Sequence, residues 1–70
     1  MLEKRSFSLS GHRTSVALEP EFWAVLGEIA QREGETLSAL VTRVDAQRVP
    51  SRPLASALRV FALTDTRPLA

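Results

Sequence analysis

The spacing of apolar residues changes from every second position to every third or fourth between Leu18 and Phe22, and Pro20 stands at the change. Upstream, Val16 and Leu18 alternate with Ser15 and Ala17, which predicts a strand over Arg13 to Leu18. Downstream, Phe22, Val25, Leu26, Ile29 and Ala30 recur at helical spacing and mark one buried face, which Trp23 widens. Glu19-Pro20-Glu21 opens this helix, because proline is accepted at the first helical position and the glutamates complement the positive end of the helix dipole. A strand of this length is not stable alone, so it must pair with another strand and share a core with the helix.

Two partners are open to it. Phe7 and Leu9 alternate with serines, and Ser10-Gly11-His12 is a turn or bulge signal, so the first segment can fold back as a hairpin. The same strand of a second subunit is the other partner. Further along, Gly34 suits the left-handed residue that ends the first helix, and Thr36 suits the cap of a second. That second helix repeats Leu37, Leu40, Val41 and Val44 on one face and should stop near Arg48, ahead of Pro50 and Pro53. A third helix is predicted from Ser51 or Pro53, with Leu54, Leu58 and Phe61 inward and Ala57, Val60 and Ala62 beside them. Thr64 to Ala70 reads as a frayed tail, and Gly27 inside the first helix either admits a neighbouring backbone or is incidental. The organisation expected is an arm or extra strand over 1–12, a core over 13–49, and a C-terminal helix and tail over 50–70.

A chain of 70 residues buries only about 60% of the surface its unfolded form exposes. Such chains are usually reinforced by disulfides, a metal or a partner, and this one has no cysteine and the single histidine His12. With 44% hydrophobic residues it has apolar surface to cover, so a homodimer is expected, its shared core filled by Val16, Leu18, Phe22, Trp23, Leu26, Leu40 and Phe61. No apolar run in Met1 to Ser10 suggests a signal peptide and no stretch is long enough to span a membrane, so a cytoplasmic protein without membrane insertion is expected. The net charge of +1 is unevenly placed: +2 over residues 1–18, −4 over 19–36 and +3 over 37–70.

Catalysis finds little support. His12 is the one conventional base and lies in a predicted turn, scattered carboxylates do not make a metal site, and no cofactor motif occurs, so no enzyme, cofactor or metal is expected. Nucleic-acid binding follows from strand geometry: with Val16 and Leu18 inward, Arg13, Ser15 and Ala17 share the outward face. Two such strands around a two-fold axis form a ribbon that fits the DNA major groove. The start of the second helix, with the amides of Leu37 and Ser38 and the hydroxyls of Thr36 and Ser38, can hold a phosphate oxygen, although Glu35 places negative charge beside it.

The runs Gly11-His12-Arg13-Thr14-Ser15-Val16-Ala17-Leu18-Glu19-Pro20-Glu21-Phe22-Trp23, Gly34-Glu35-Thr36-Leu37-Ser38-Ala39-Leu40 and Ser56-Ala57-Leu58-Arg59-Val60-Phe61 carry a resemblance. Together they resemble the short bacterial ribbon-helix-helix domain proteins, relatives in fold of the Arc and Met repressors, over about residues 5–64. The resemblance implies a mainly helical fold with one strand, in an intertwined homodimer whose intermolecular two-stranded antiparallel ribbon enters the major groove. It implies base reading by Arg13, Ser15 and Ala17 and a phosphate clamp at Thr36, Leu37 and Ser38. Ser6 to Leu9 is open to three readings, a separate strand, a continuation past a bulge or a flexible arm, and in the last Lys4 and Arg5 lie along the phosphates. Ala17 departs from the pattern, since alanine can touch a thymine methyl but donates no hydrogen bond. The expected function is a small DNA-binding transcriptional regulator. The alternative is a homodimeric interaction module or accessory subunit bound to another protein, motivated by Ala17, the acidic block Glu19 to Glu35 and the apolar third helix.

Overall fold

The computed structural model describes residues 1–65 and runs β1 (Glu3–Leu9), β2 (His12–Leu18), α1 (Pro20–Arg32), α2 (Leu37–Gln47) and α3 (Leu54–Thr64). The two strands pair antiparallel in register from Glu3 opposite Leu18 to Leu9 opposite His12. Ser10 and Gly11 join them at φ 51° and 80°. Positive φ at both central residues of a two-residue loop is the type I′ pattern, whose twist matches that of the flanking strands.

One sequence expectation is corrected by this hairpin: the described chain has two strands rather than one, and β2 pairs with β1, the hairpin that the sequence left open beside the same strand of a second subunit. The physical reason lies in Gly11: a turn glycine between two alternating segments lets the chain supply its own second strand at a short loop-closure cost. The core of the described chain draws on every element. Phe7 and Leu9 of β1, Val16 and Leu18 of β2, Trp23, Leu26, Ile29 and Ala30 of α1, Leu40, Val41 and Val44 of α2, and Ala57, Leu58 and Ala62 of α3 are all buried. Each large aliphatic side chain among them contributes about 1.5–3 kcal/mol. α2 packs on β1, α3 on β2, and α1 against both α2 and α3, so the hairpin covers one side of a three-helix layer.

The buried face of α1 is turned by about one residue from the expected one. Trp23, Leu26, Ile29 and Ala30 point inward, whereas Phe22 is half-buried and Val25 is 39% exposed. Trp23 explains the turn: its indole Nε1 donates to the Glu3 carbonyl at 2.7 Å, and its ring lies 5.8 Å from that of Phe7. Burying the larger ring outweighs burying Phe22. Phe61, also expected inside, is half-buried too.

The connections are formed as the sequence predicts. α1 ends in a Schellman motif at Gly34 (φ 71°), where Gly34 N donates to Gln31 O at 3.1 Å and Glu35 N to Ala30 O at 2.9 Å. Thr36 caps α2, its Oγ1 accepting from Ala39 N at 3.0 Å. α3 begins directly after Pro53. A Cβ built on Gly27 would meet nothing within 4 Å, so that glycine admits no neighbouring backbone. Of the expected tail, Thr64 closes α3, and residues 66–70 lie outside the described residues.

Candidate nucleic-acid interface

Opposite residues of an antiparallel pair share a face, so the register sorts the hairpin's side chains into two sets. Phe7, Leu9, Val16 and Leu18 turn to the helices. Lys4, Ser6, Ser8, Arg13, Ser15 and Ala17 turn away, in the cross-strand pairs Lys4 with Ala17, Ser6 with Ser15 and Ser8 with Arg13. This outer face carries two cations, three hydroxyls and no carboxylate. The Ser6 and Ser15 hydroxyls lie 3.2 Å apart, close enough to hydrogen-bond to each other.

Four of the sequence-predicted residues, Lys4, Arg13, Ser15 and Ala17, therefore stand together. Lys4 sits across from Ala17, so the polar group that Ala17 lacks is present on the neighbouring strand. Arg5 is elsewhere. It belongs to the inward set, its Nη2 lies 2.7 Å from Glu3, and its guanidinium stacks 5.1 Å from the Trp23 ring centroid. Ser6 and Ser8 stand on this face as well, where the inward alternation of Phe7 and Leu9 already assigned them. His12, opposite Leu9 at the turn, is exposed.

Ion pairing sorts the charges further. Arg5 pairs with Glu3, Arg32 with Asp65 and Glu33, Arg43 with Glu35, Arg48 with Asp45, and Arg59 with Glu19. Three of these arginines also stack on rings: Arg5 on Trp23, Arg43 on Phe61 at 5.5 Å and Arg59 on Phe22 at 5.8 Å. That is why Phe22 and Phe61 stop at half burial, each covered by a guanidinium in place of a hydrocarbon side chain. Among the described residues, Lys4, Arg13 and Arg52 are the basic side chains without a carboxylate partner, and two of the three lie on the outer face of the hairpin. The small net charge thus conceals a local excess of positive charge on that face.

At the start of α2, the amides of Leu37 and Ser38 have no acceptor within the described chain, and the Thr36 hydroxyl already accepts from Ala39 N. Ser38 is exposed and Leu37 half-buried. Glu35, which opposed an anion at this position, is held by Arg43 at 2.6 Å. The hydrogen bond from Arg43 to Glu35 also holds the guanidinium more firmly protonated than usual. The negative charge beside the helix start is thereby neutralised. No group of three or more metal-ligating side chains occurs among the described residues, and no described helix is long and apolar enough to cross a membrane.

Comparison with known proteins agrees with this geometry. Residues 2–66 match the ribbon-helix-helix domain family. The structure is similar to an uncharacterized protein from Bordetella pertussis Tohama I, with a TM-score of 0.75 and 36% sequence identity over 90% of this chain. The match spans 54% of that protein, so this chain corresponds to about half of its length. Among curated proteins, none matches. A two-stranded antiparallel ribbon leading into successive helices, over nearly the whole chain, places the protein in the ribbon-helix-helix domain family.

Proposed function

We propose that the protein is a homodimeric, DNA-binding transcriptional regulator of the cytoplasm, in which the outer face of each hairpin enters the major groove. Proteins of this family are in general DNA-binding regulators that form dimers, and the fold is in general not enzymatic. The observation that carries the reading is the outer face itself: Lys4, Ser6, Ser8, Arg13 and Ser15 around Ala17, with no acidic group among them. Strands about 4.8 Å apart fit a groove about 12 Å wide. Arg13 is the side chain able to grip guanine O6 and N7 together, the serines bond to either kind of base edge, and Ala17 accepts a thymine methyl. Lys4 neutralises a phosphate. The start of α2, with Thr36, Leu37 and Ser38, offers two free amides to another phosphate, and the Glu35–Arg43 pair removes the repulsion that would oppose it.

Fluorescence anisotropy with labelled duplexes at several salt concentrations tests this. Two copies bring two Lys4 side chains to phosphates while Arg13 reads bases, so the slope of log K against log salt should reach about −1.8 if each Lys4 neutralises one phosphate. Absence of binding at low salt, or a slope near zero, would overturn the proposal. Arg13→Ala should cost about 1–3 kcal/mol for each base pair it reads and relax sequence preference there. Lys4→Ala should instead weaken all duplexes alike and flatten the slope.

A further inference from the structure

Glu19 stands alone between β2 and α1, in extended backbone (φ −60°, ψ 144°), and caps α1 with its main chain only. Its carbonyl accepts from Phe22 N at 2.9 Å and from Trp23 N at 3.2 Å, while its side chain makes no capping bond. Short polar side chains ordinarily cap such a position, as Thr36 does for α2. A negative charge at this end suits the dipole of α1 wherever it points. Its direction is set by another helix: Arg59 of α3 donates from Nε to Glu19 Oε1 at 3.0 Å and lays its guanidinium over the Phe22 ring, 5.8 Å from the centroid.

One half-buried side chain therefore grips the residue before Pro20 and a ring just after it. The joint between the hairpin and α1 is a single residue long, so the torsions at Glu19 and Pro20 set the direction in which the hairpin leaves the helix. The proline ring fixes one of these torsions, and Arg59 restrains the others through the Glu19 carboxylate. The far end of α1 is tied to the same helix, since Arg32 reaches Asp65, directly after α3, at 2.6 Å. α3 packs on β2 from the helical side, away from the outer face, so Arg59 acts on that face through the joint. The lever is long. Arg13 lies five residues from Leu18, about 17 Å, so a tilt of about 10° at the joint would carry it about 3 Å, enough to break a hydrogen bond.

We propose that α3 is a brace and Arg59 a positioning residue: by holding Glu19 and Phe22, it fixes the angle between the hairpin and α1, and with it the placement of the outer face relative to the start of α2. The inference rests on the proposed function, which assigns those two surfaces to DNA. It gives the third helix a role beyond filling the core.

Two measurements test it. In the free protein, residual dipolar couplings of the backbone amides report how the hairpin is oriented relative to α2. Arg59→Ala should change that orientation while far-UV circular dichroism stays as in wild type. Arg59→Lys keeps the charge but neither the Nε bond nor the flat stack, and should behave like the alanine variant. Anisotropy with duplex DNA, at a temperature where every variant is fully folded, should then show several-fold weaker binding by both variants at an unchanged slope of log K against log salt. Discrimination at the base pair read by Arg13, far from the joint, should fall more than at the one touched by Ala17 beside it. Unchanged couplings or unchanged affinity in Arg59→Ala would overturn the proposal. So would a flatter slope, which would make Arg59 itself a phosphate contact, or full recovery in Arg59→Lys, which would leave an effect of charge alone. If wild type binds no duplex, the DNA-binding reading fails by itself, and the couplings alone decide the brace.

Discussion

Trp23 ties the first strand to the first helix, and replacing it with phenylalanine isolates that tie. The indole N–H donates to the Glu3 carbonyl at 2.7 Å, the ring is 2% exposed, it lies against Phe7, and Arg5 covers it at 5.1 Å. Phenylalanine keeps a ring in the core but loses the hydrogen bond, worth about 1 kcal/mol net. It also buries roughly 40 Å² less, worth about another 1 kcal/mol. The expected loss is about 2 kcal/mol, from a total of about 3.5–10 kcal/mol for a domain of this size. At about 4–8 °C per kcal/mol in small domains, Tm should fall by about 8–16 °C. Thermal and urea unfolding followed by far-UV circular dichroism measure this, because Trp23 is the sole tryptophan and its fluorescence disappears with it. An unchanged urea m-value would show that the surface exposed on unfolding is the same. Hydrogen exchange should quicken first at the Glu3 end of β1, the part of the hairpin that Trp23 holds. A Tm within about 3 °C of wild type would refute the reasoning, since neither the hydrogen bond nor the ring's burial would then matter to the fold.

Other consequences follow from individual residues. Thr36→Ala removes the hydroxyl that accepts from Ala39 N and should cost about 1 kcal/mol by urea denaturation. Gly27→Ala should raise stability by about 0.5–1 kcal/mol in the same assay, because the added methyl meets nothing and alanine favours the helix. Hydrogen bonding from Arg59, together with a bond from its own backbone, holds the Glu19 carboxyl below the usual carboxylate range, so Arg59→Ala should raise that pKa in a carbon-detected NMR titration. Because the folded pKa is depressed, the stabilisation from this pair is present above the unfolded value of about 4.3 and is lost as pH falls through the folded one. The stability gap between wild type and Arg59→Ala should therefore narrow on acidification, leaving a pH-independent remainder from the stacking of Arg59 on Phe22.

The elements themselves were legible in the sequence, because each is bounded by residues whose backbone chemistry is local. Pro20 starts α1, Gly34 ends it, Thr36 caps α2, and Pro50 and Pro53 separate α2 from α3. The partner of the second strand was not legible from alternation, since a period of two states which side faces the core and not which strand lies alongside. The register was needed to bring Lys4 opposite Ala17 and to send Arg5 to the other face. Charge was misleading for a related reason. Formal charges along the chain suggested an acidic middle that would repel DNA, but Glu19 and Glu35 are each held by an arginine of a later helix, Arg59 of α3 and Arg43 of α2. Those pairings are tertiary, as is the turn of α1 that buries Trp23 and leaves Val25 exposed.

The outer face of the hairpin is the surface proposed to meet DNA. Backbone amide and side-chain NMR shifts of the labelled protein, followed as a short duplex is added at low salt, test it most directly. The perturbed residues should be Lys4, Ser6, Ser8, Arg13, Ser15 and Ala17, joined by Leu37 and Ser38 at the start of α2, while Val49 and Val60 on the α2–α3 side stay in place. Shifts confined to α1 or the α2–α3 side, with the hairpin unmoved at saturating duplex, would contradict it.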